Sequence, residues 1–323
     1  FAETLNYSVN QTLVRSITPR LILIGTSEEQ GSIDRRLLRQ AREQGIPVVC
    51  LLDYWSRYAE RFSGLAVGER LAYVPDLIFV MDEAARDGMV AEGICADRLV
   101  ITGHPYLDRY HERIPRLSAA ARQAFLAGLG ISPEQQLITF VSETFGWTYE
   151  ASYRFPPLSN SRERTVIILE HVLAALTDLA PDLARPVVLL NKLHPKNRVE
   201  EFQWLEQARW PFPVRSVTAL PNATLLQASS LVVGLTSMLL VEAACLGVPT
   251  LSVVPRAVEE RIGPQAGPAW PMARTPQDLR ALLKRVLGAR AEPLSTDVSD
   301  AIETRHLGAT ERVVQRLYGL VEG

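Results

Sequence analysis

One stretch, residues 231–255, limits what this chain can fold into more than any other. It reads LVVGLTSMLLVEAACLGVPTLSVVP, two short apolar runs on either side of a segment without helix breakers. Thr236 and Ser237, residue types favoured where helices begin, precede that segment, and Gly247 ends it. The pattern predicts a strand, a helix and a second strand, which is the repeating unit of a parallel α/β sheet.

The beginning of the predicted helix also predicts an anion site. The first amides of a helix have no intrahelical acceptor and carry partial positive charge, and Thr236 and Ser237 would add hydroxyl donors. Glu242 follows on the same helix among apolar residues, where a carboxylate needs a partner such as a ribose diol. The alternative is an ordinary capped helix with Glu242 at an exposed edge.

Apolar runs alternate with segments of helical periodicity along the rest of the chain. The other runs lie at residues 21–25, 48–52, 77–81, 98–102, 136–141 and 187–190. This alternation predicts a parallel, doubly wound α/β architecture, and 323 residues are enough for two such domains. Because the chain begins at Phe1 and its first segments do not form a complete domain opening, we expect the natural protein to begin earlier.

A second polar stretch follows the run at residues 187–190. It reads NKLHPK and places Lys192 and His194 at the carboxyl end of a predicted strand, where open α/β sheets bind ligands. A neutral imidazole can donate a hydrogen bond to a phosphate oxygen. The alternative for His194 is a histidine packed within a turn.

These two stretches carry a resemblance to known enzymes. The order of Gly234, the Thr236–Ser237 pair, Glu242 and Gly247 resembles the donor-binding helix of GT-B glycosyltransferases, an architecture shared by UDP-N-acetylglucosamine 2-epimerases. The His-Pro pair together with the hydroxyl pair is similar to two motifs of bacterial sialyl- and Kdo-type capsule transferases. The resemblance implies two Rossmann-like domains facing a cleft, with acceptor bound by residues 1–116 and nucleotide sugar by 117–323. The final helices would then pack back on the first domain.

The resemblance also implies roles for individual residues. In such proteins the histidine and the Ser/Thr pair bind phosphate, the helix glutamate holds the ribose, and the loop after the first strand faces the donor. The implied donor-binding residues are Ser142, Glu143, Lys192, His194, Thr236, Ser237 and Glu242. The hydrolysing epimerases carry an acidic residue and a glycine pair on the donor helix. This chain has Gly234-Leu235-Thr236-Ser237 instead, which argues against an epimerase.

An inverting glycosyl transfer needs a base for the acceptor hydroxyl. The predicted strand ends of the first domain offer Glu28, Glu29 and Asp53 as catalytic candidates. The glutamates could instead be an acidic pair favoured by a helix start, and Asp53 could bond its own loop. No Asp-x-Asp pair calls for a metal, so we expect neither a metal nor a cofactor besides the nucleotide-sugar substrate.

Composition excludes several other classes of function. A formal net charge of −2 disfavours a nucleic-acid-binding protein. The three cysteines lack CxxC spacing, which predicts neither a zinc site nor a disulfide framework. No apolar run reaches the roughly 20 residues of a membrane span, and no signal peptide is visible. We expect a cytoplasmic protein, and peripheral association with a membrane stays open.

The interpretation that joins these observations is a metal-independent, inverting GT-B glycosyltransferase. It would move a sugar from a nucleotide-sugar donor to a glycan, lipid or protein acceptor in polysaccharide or glycoconjugate assembly. Two alternatives stay open, a sugar-nucleotide 2-epimerase or hydrolase and a non-catalytic protein that binds sugar nucleotides.

Overall fold

The computed structural model describes residues 18–26, 32–144, 146, 148–261, 270–288 and 297–322. Contacts group the described residues up to Asp108 with those from Arg305 onward, and residues 109–304 into a second unit. Each unit contains a parallel β-sheet, so the predicted fold class of two parallel-sheet α/β domains is confirmed. The domain limits 1–116 and 117–323 stay a prediction.

The first unit holds a four-stranded parallel sheet in the order β1-β2-β3-β4. The strands are β1 (Ile22–Ile24), β2 (Val48–Leu51), β3 (Leu77–Val80) and β4 (Leu99–Ile101). The helices are α1 (Ile33–Glu43), α2 (Tyr58–Arg61), α3 (Glu83–Ala91) and the last helix of the chain, α12 (Ala309–Glu322). Val313 of α12 is buried in one cluster with Val49 and Phe79, so the last helix packs on this sheet.

The second unit holds a six-stranded parallel sheet in the order β10-β9-β8-β5-β6-β7. The strands are β5 (Gln136–Val141), β6 (Val187–Lys192), β7 (Val214–Val217), β8 (Leu231–Gly234), β9 (Thr250–Val253) and β10 (Met272–Ala273). The helices are α4 (Tyr110–Arg113), α5 (Ala119–Gly128), α6 (Arg164–Leu179), α7 (Trp204–Gln207), α8 (Asn222–Ala228), α9 (Met238–Cys245), α10 (Pro276–Leu287) and most of α11 (Asp297–His306), whose last two residues are grouped with the first unit. The strand, helix and strand predicted within residues 231–255 are β8, α9 and β9.

Alternate residues of β5 supply the two faces of this sheet. Ile138 and Phe140 pack in the cluster that includes α6 and α10, whereas Leu137 packs with α5 and α8. Successive side chains of a strand point to opposite faces, so α6 and α8 cover opposite sides. Helix α9 contacts α8 and therefore lies on the face opposite to α6.

The strand order creates a topological switch point between β5 and β8. From β5 the chain passes to β6 and β7 on one side, and then returns to β8 on the other. The helices that follow β5 and β8, α6 and α9, leave on opposite faces. Open α/β sheets bind ligands outside the carboxyl ends of their strands at such a switch. The loops that begin at Ser142 and Leu235 border this position.

None of the helices among the described residues combines the length and the apolar character that crossing a membrane requires.

Candidate functional site

The carboxylate of Glu143 bridges the two loops at the switch point. One of its oxygens, Oε1, accepts hydrogen bonds from the amide of Thr236 at 2.9 Å and from the Thr236 hydroxyl at 2.8 Å. The other oxygen, Oε2, accepts a hydrogen bond from the guanidinium of Arg164, the first residue of α6. A carboxylate of the chain itself therefore bonds to the hydroxyl residue that precedes α9, where the sequence predicts a phosphate.

The backbone of Glu143 is bonded as fully as its side chain. Its amide donates to the hydroxyl of Thr165 at 3.1 Å, and its carbonyl accepts from the side-chain amide of Asn197 at 2.9 Å. Asn197 belongs to the loop after β6, and Thr236 belongs to the loop after β8. The loop after β5 is thus bonded to the loops that follow both neighbouring strands.

Arg164 connects this site to a buried network of charges. Its side chain is 5% exposed and donates to Glu259 at 2.5 Å. Glu259 also accepts hydrogen bonds from Arg256 at 3.1 and 2.9 Å. Burial lowers the pKa of Arg164, but the carboxylates of Glu143 and Glu259 outweigh burial and raise this pKa above its ordinary value. The guanidinium stays cationic, and the loss of either carboxylate would leave a buried charge incompletely compensated.

His194, in the loop after β6, presents a hydrogen-bond donor. Its Nδ1 accepts a hydrogen bond from the backbone amide of Lys196 at 3.1 Å, which assigns the ring hydrogen of the neutral imidazole to Nε2. No described residue accepts a hydrogen bond from that Nε2. Partial burial, followed by the charge of Lys196, lowers the pKa of His194, and Glu143 opposes them. The imidazole is therefore neutral at pH 7.

Two other predicted donor-binding residues, Ser142 and Lys192, bond to the neighbouring strand or loop. The hydroxyl of buried Ser142 donates to Oδ1 of Asn191 at 2.6 Å, and the Asn191 amide donates to Ser216 at 3.3 Å. The ammonium of Lys192 donates to the carbonyl of Thr218, and burial lowers the pKa of Lys192. Ser142 therefore ties the loop after β5 to β6, and Lys192 ties the end of β6 to the loop after β7.

The beginning of α9 has the predicted capping residue. Ser237 is its N-cap, and the Ser237 oxygen accepts a hydrogen bond from the amide of Leu239 at 3.3 Å. Glu242, further along the helix, is buried, and its Oε2 accepts a hydrogen bond from the hydroxyl of Tyr110 at 2.9 Å. The partner that a carboxylate on so apolar a helix requires is thus supplied by α4 of the same unit.

In the first unit, Asp53 follows β2 and its side chain is 59% exposed. One carboxylate oxygen accepts hydrogen bonds from Arg61 at 2.8 Å and from the hydroxyl of Thr26. Glu28 and Glu29, the other two predicted catalytic candidates, lie outside the described residues. Asp53 is therefore the candidate base that the structure describes, with an anchored and accessible carboxylate.

Sequence reasoning missed two residues that organise the second unit. Arg164 has no distinguishing signal, because an arginine at a helix start reads as a surface residue. Tyr110 lies within residues 106–116, for which the sequence predicts only a crossover connection. Asp82, by contrast, is predicted from the sequence to start a helix, and it does cap α3 by accepting from the amide of Ala85 at 2.9 Å. It also accepts from the indole of Trp55 at 2.9 Å.

Among the described residues, one group could offer three ligands to a metal ion. The ligand atoms of His111, Glu112 and Glu303 lie within 4.8 Å of one another, and His111 already pairs with Glu303 at 3.3 Å. All three side chains are partly or fully exposed, and none of them touches the loops around Glu143.

Comparison with models of known protein families gave no match, and comparison with curated proteins gave none either. Solved structures do match. The chain is similar to Anabaena Alr3699/HepE in complex with UDP and glucose, with a TM-score of 0.66 and 14% identity over 95% of this chain and 80% of that chain. It is also similar to the UDP-GlcNAc 2-epimerase from Neisseria meningitidis bound to UDP-GlcNAc (TM-score 0.58, 14% identity, 96% and 79% covered). A third similar structure is the S. aureus MnaA–UDP co-structure (TM-score 0.60, 15% identity, 97% and 77% covered).

At such identities the likeness establishes a shared fold. The expected similarity in architecture to UDP-N-acetylglucosamine 2-epimerases is therefore confirmed. The finer resemblance to sialyl- and Kdo-type transferases stays a prediction.

Proposed function

We propose that the second unit binds the diphosphate of a nucleotide sugar beside the switch between β5 and β8, and that the protein transfers the sugar to an acceptor. The observation that carries this proposal is the Nε2–H of His194. It is a neutral donor that no described residue satisfies, and it follows a parallel strand in a loop bonded to Glu143. A phosphate oxygen is the acceptor that such a donor suits.

The surroundings of His194 support an anionic ligand. The strands β6 and β8 both pair with β5, so their ends lie about 10 Å apart, twice the usual strand spacing. A diphosphate with its attached sugar can span that distance. At the β8 side, the Ser237 hydroxyl and the first amides of α9 offer further donors, and the helix dipole favours negative charge there.

The ligands bound in the similar structures guide the choice of nucleotide. The Anabaena protein was solved with UDP and glucose and also with UDP-glucose, and the Neisseria epimerase with UDP-GlcNAc. These ligands belong to those proteins, and they make UDP the first nucleotide to test here.

In the proposed reaction the acceptor hydroxyl forms a bond to the anomeric carbon of the sugar. The bond from that carbon to the phosphate oxygen breaks, and its electron pair leaves with the nucleotide. His194 and the start of α9 stabilise the departing charge, so the proposal requires no metal ion. The acceptor proton passes to a carboxylate base, for which Asp53 is the described candidate.

A second candidate function is a sugar-nucleotide 2-epimerase or hydrolase. It is favoured by the several 2-epimerases among the similar structures. The two functions differ in their need for an acceptor. An epimerase or hydrolase consumes UDP-GlcNAc alone, whereas a transferase releases nucleotide only when an acceptor is present. A non-catalytic binding protein would release none under either condition.

Titration calorimetry with UDP, CDP, GDP and CMP tests the proposal. We expect one nucleotide to bind, and we expect His194→Ala to weaken that binding about tenfold or more, since hydrogen bonds to charged groups are the strong ones. His111→Gln, in the same unit but without contact to the loops around Glu143, serves as the control and should bind normally. The proposal fails if none of the four nucleotides binds, or if His194→Ala binds as tightly as the wild type.

A further inference from the structure

We propose that Glu143 is a positioning residue of the donor site, which holds three loops in their binding arrangement without contacting the donor. This inference rests on the proposed function. It differs from the role implied by the sequence resemblance, in which the loop of Glu143 faces the donor directly.

Every polar atom of Glu143 bonds to another element of the unit. The amide and Oε2 bond to Thr165 and Arg164 at the start of α6. The carbonyl bonds to Asn197 after β6, and Oε1 takes both donors of Thr236 after β8. A residue bonded in this way fixes the relative positions of the loops after β5, β6 and β8.

The positions fixed by Glu143 are next to the groups that would bind phosphate. Thr236 directly precedes Ser237, the N-cap of α9, so the amide and hydroxyl bonds of Thr236 set the direction in which this helix starts. The backbone amide of Asn197 bonds to the carbonyl of His194 at 2.9 Å, which links the turn that carries the imidazole to the Asn197 side chain. Holding Thr236 and Asn197 therefore orients both the Ser237 hydroxyl and the Nε2–H of His194.

A phosphate would not easily displace the Glu143 carboxylate from Thr236. The side chain of Glu143 is only 13% exposed, and that of Arg164 is 5% exposed. Arg164 is bonded in turn to buried Glu259. Moving the carboxylate away would remove one anion from a buried cation, which is strongly unfavourable. Glu143 thus holds the loops of the site in place, and the phosphate binds beside it.

The test compares UDP affinity and thermal stability in substituted proteins. We expect Glu143→Ala to weaken UDP binding about tenfold or more, because small misplacements of binding groups are costly. Glu143→Gln keeps an oxygen acceptor for Thr236 but turns an amide donor toward Arg164, so it should recover part of the lost affinity. Glu260→Gln is the matched control, because Glu260 also pairs with two arginines, Arg154 and Arg274, but touches none of the three loops. It should bind UDP normally.

Asn197→Ala gives an independent measurement, because it removes the bond to the Glu143 carbonyl and leaves the carboxylate in place. We expect it to weaken UDP binding several-fold, and this result supports the proposal even if Glu143→Ala does not fold. The proposal is overturned if the folded variants lose thermal stability but keep wild-type affinity, which identifies a structural role alone. Tighter binding by Glu143→Ala also overturns it, because the carboxylate would then compete with phosphate. Failure of the wild type to bind any nucleotide instead refutes the proposed function, so the two failures are distinguishable.

Discussion

His104 in the first unit and His194 in the second both follow parallel strands, and burial lowers the pKa of both imidazoles. Their hydrogen bonds differ. Nδ1 of His104 accepts from the amide of Tyr106 at 3.2 Å and its Nε2 donates to the carbonyl of Asp53 at 3.2 Å. Among the described residues, His194 uses only its Nδ1 for a hydrogen bond. Position after a strand and a lowered pKa are therefore shared by a structural and a candidate binding histidine, and the unused donor separates them.

The same contrast extends to the other polar residues after the strands of the first unit. Asp82 caps α3 and accepts from Trp55, and Asp108 accepts from the amides of Gly308 and Thr310, both at 2.9 Å, around the start of α12. These carboxylates are occupied by the fold of their own unit. Asp53 differs from them in its exposed side chain. A substitution of Asp53 is therefore the most direct test, in the first unit, of the distinction between residues that serve the fold and residues that serve a site.

The largest effect is expected from Asp53→Asn. Asparagine keeps an oxygen acceptor for Arg61 but removes the basic group, so transfer of sugar should fall by about 10²- to 10⁴-fold, the usual contribution of a general base. UDP affinity should not change, because the second unit is proposed to bind the nucleotide. The measurement is release of UDP from a sugar nucleotide with acceptor present.

Asp87→Asn is the control for that experiment, since Asp87 is an exposed aspartate paired with Arg86 at 3.1 Å in the same unit. It should leave the rate unchanged. Full activity of Asp53→Asn would assign Asp53 to the structural group with Asp82, and Glu28 and Glu29 would then be the remaining predicted candidates.

A buried histidine should make the first unit sensitive to acid. His306 is fully buried, and burial, followed by His104 and two arginines, lowers its pKa from 6.5 to about 3, against an opposing contribution from Asp108. Below about pH 6.5 the unfolded chain binds a proton that the folded chain does not. As the pH falls from about 6.5 to about 3, the free energy of unfolding should therefore decrease by up to about 1.4 kcal/mol per pH unit. Above about pH 6.5, His306 should contribute no pH dependence.

Denaturant unfolding from about pH 7 to about pH 4 measures that slope. His306→Asn retains an acceptor for the amide of His104 and should flatten the curve in this range. Some slope will persist, because burial also lowers the pKa of His104 and His171. Equal slopes in the variant and the wild type would show that His306 does not carry the acid sensitivity.

Measuring both the unfolding free energy and the UDP affinity for variants of His104 and His194 tests the contrast between these two histidines directly. His104→Ala leaves the Tyr106 amide and the Asp53 carbonyl without their partner, so it should cost about 1–3 kcal/mol of unfolding free energy and leave UDP affinity unchanged. His194→Ala should do the reverse. Chemical unfolding and calorimetry on both variants give the four values. If folded His104→Ala also lost UDP affinity, the distinction drawn from the unused donor would be wrong.

The sequence was sufficient to predict most of the described strands, because buried parallel strands appear as continuous apolar runs. Gln136–Val141 has the predicted limits of β5. β10 was not predicted, since two residues, Met272 and Ala273, make no recognisable run. Local patterns therefore identify long strands, and they miss short edge strands whose formation depends on a neighbour.

The sequence identified the loops that form the candidate site, but it did not identify which of their residues contact one another. Apolar runs followed by polar residues identified the loops that contain Glu143, His194 and Thr236. The bond from Glu143 to Thr236 joins residues 93 positions apart, and no local pattern specifies such a pairing. The roles of these side chains depend on where their hydrogen bonds go, which is a property of the folded chain.

The smallest effect on nucleotide binding is expected at the pair of Tyr110 and Glu242. Tyr110→Phe removes one hydrogen bond to a buried carboxylate, which should lower the unfolding free energy by about 1–3 kcal/mol. If Glu242 also contacts the ribose, as the sequence resemblance implies, a less firmly held carboxylate should reduce the preference for UDP over its 2′-deoxy analogue by a few-fold. Calorimetry with both nucleotides measures that preference. An unchanged preference together with lowered stability would place Glu242 with Asp82 among the residues that serve the fold, because its carboxylate would then be satisfied within the chain.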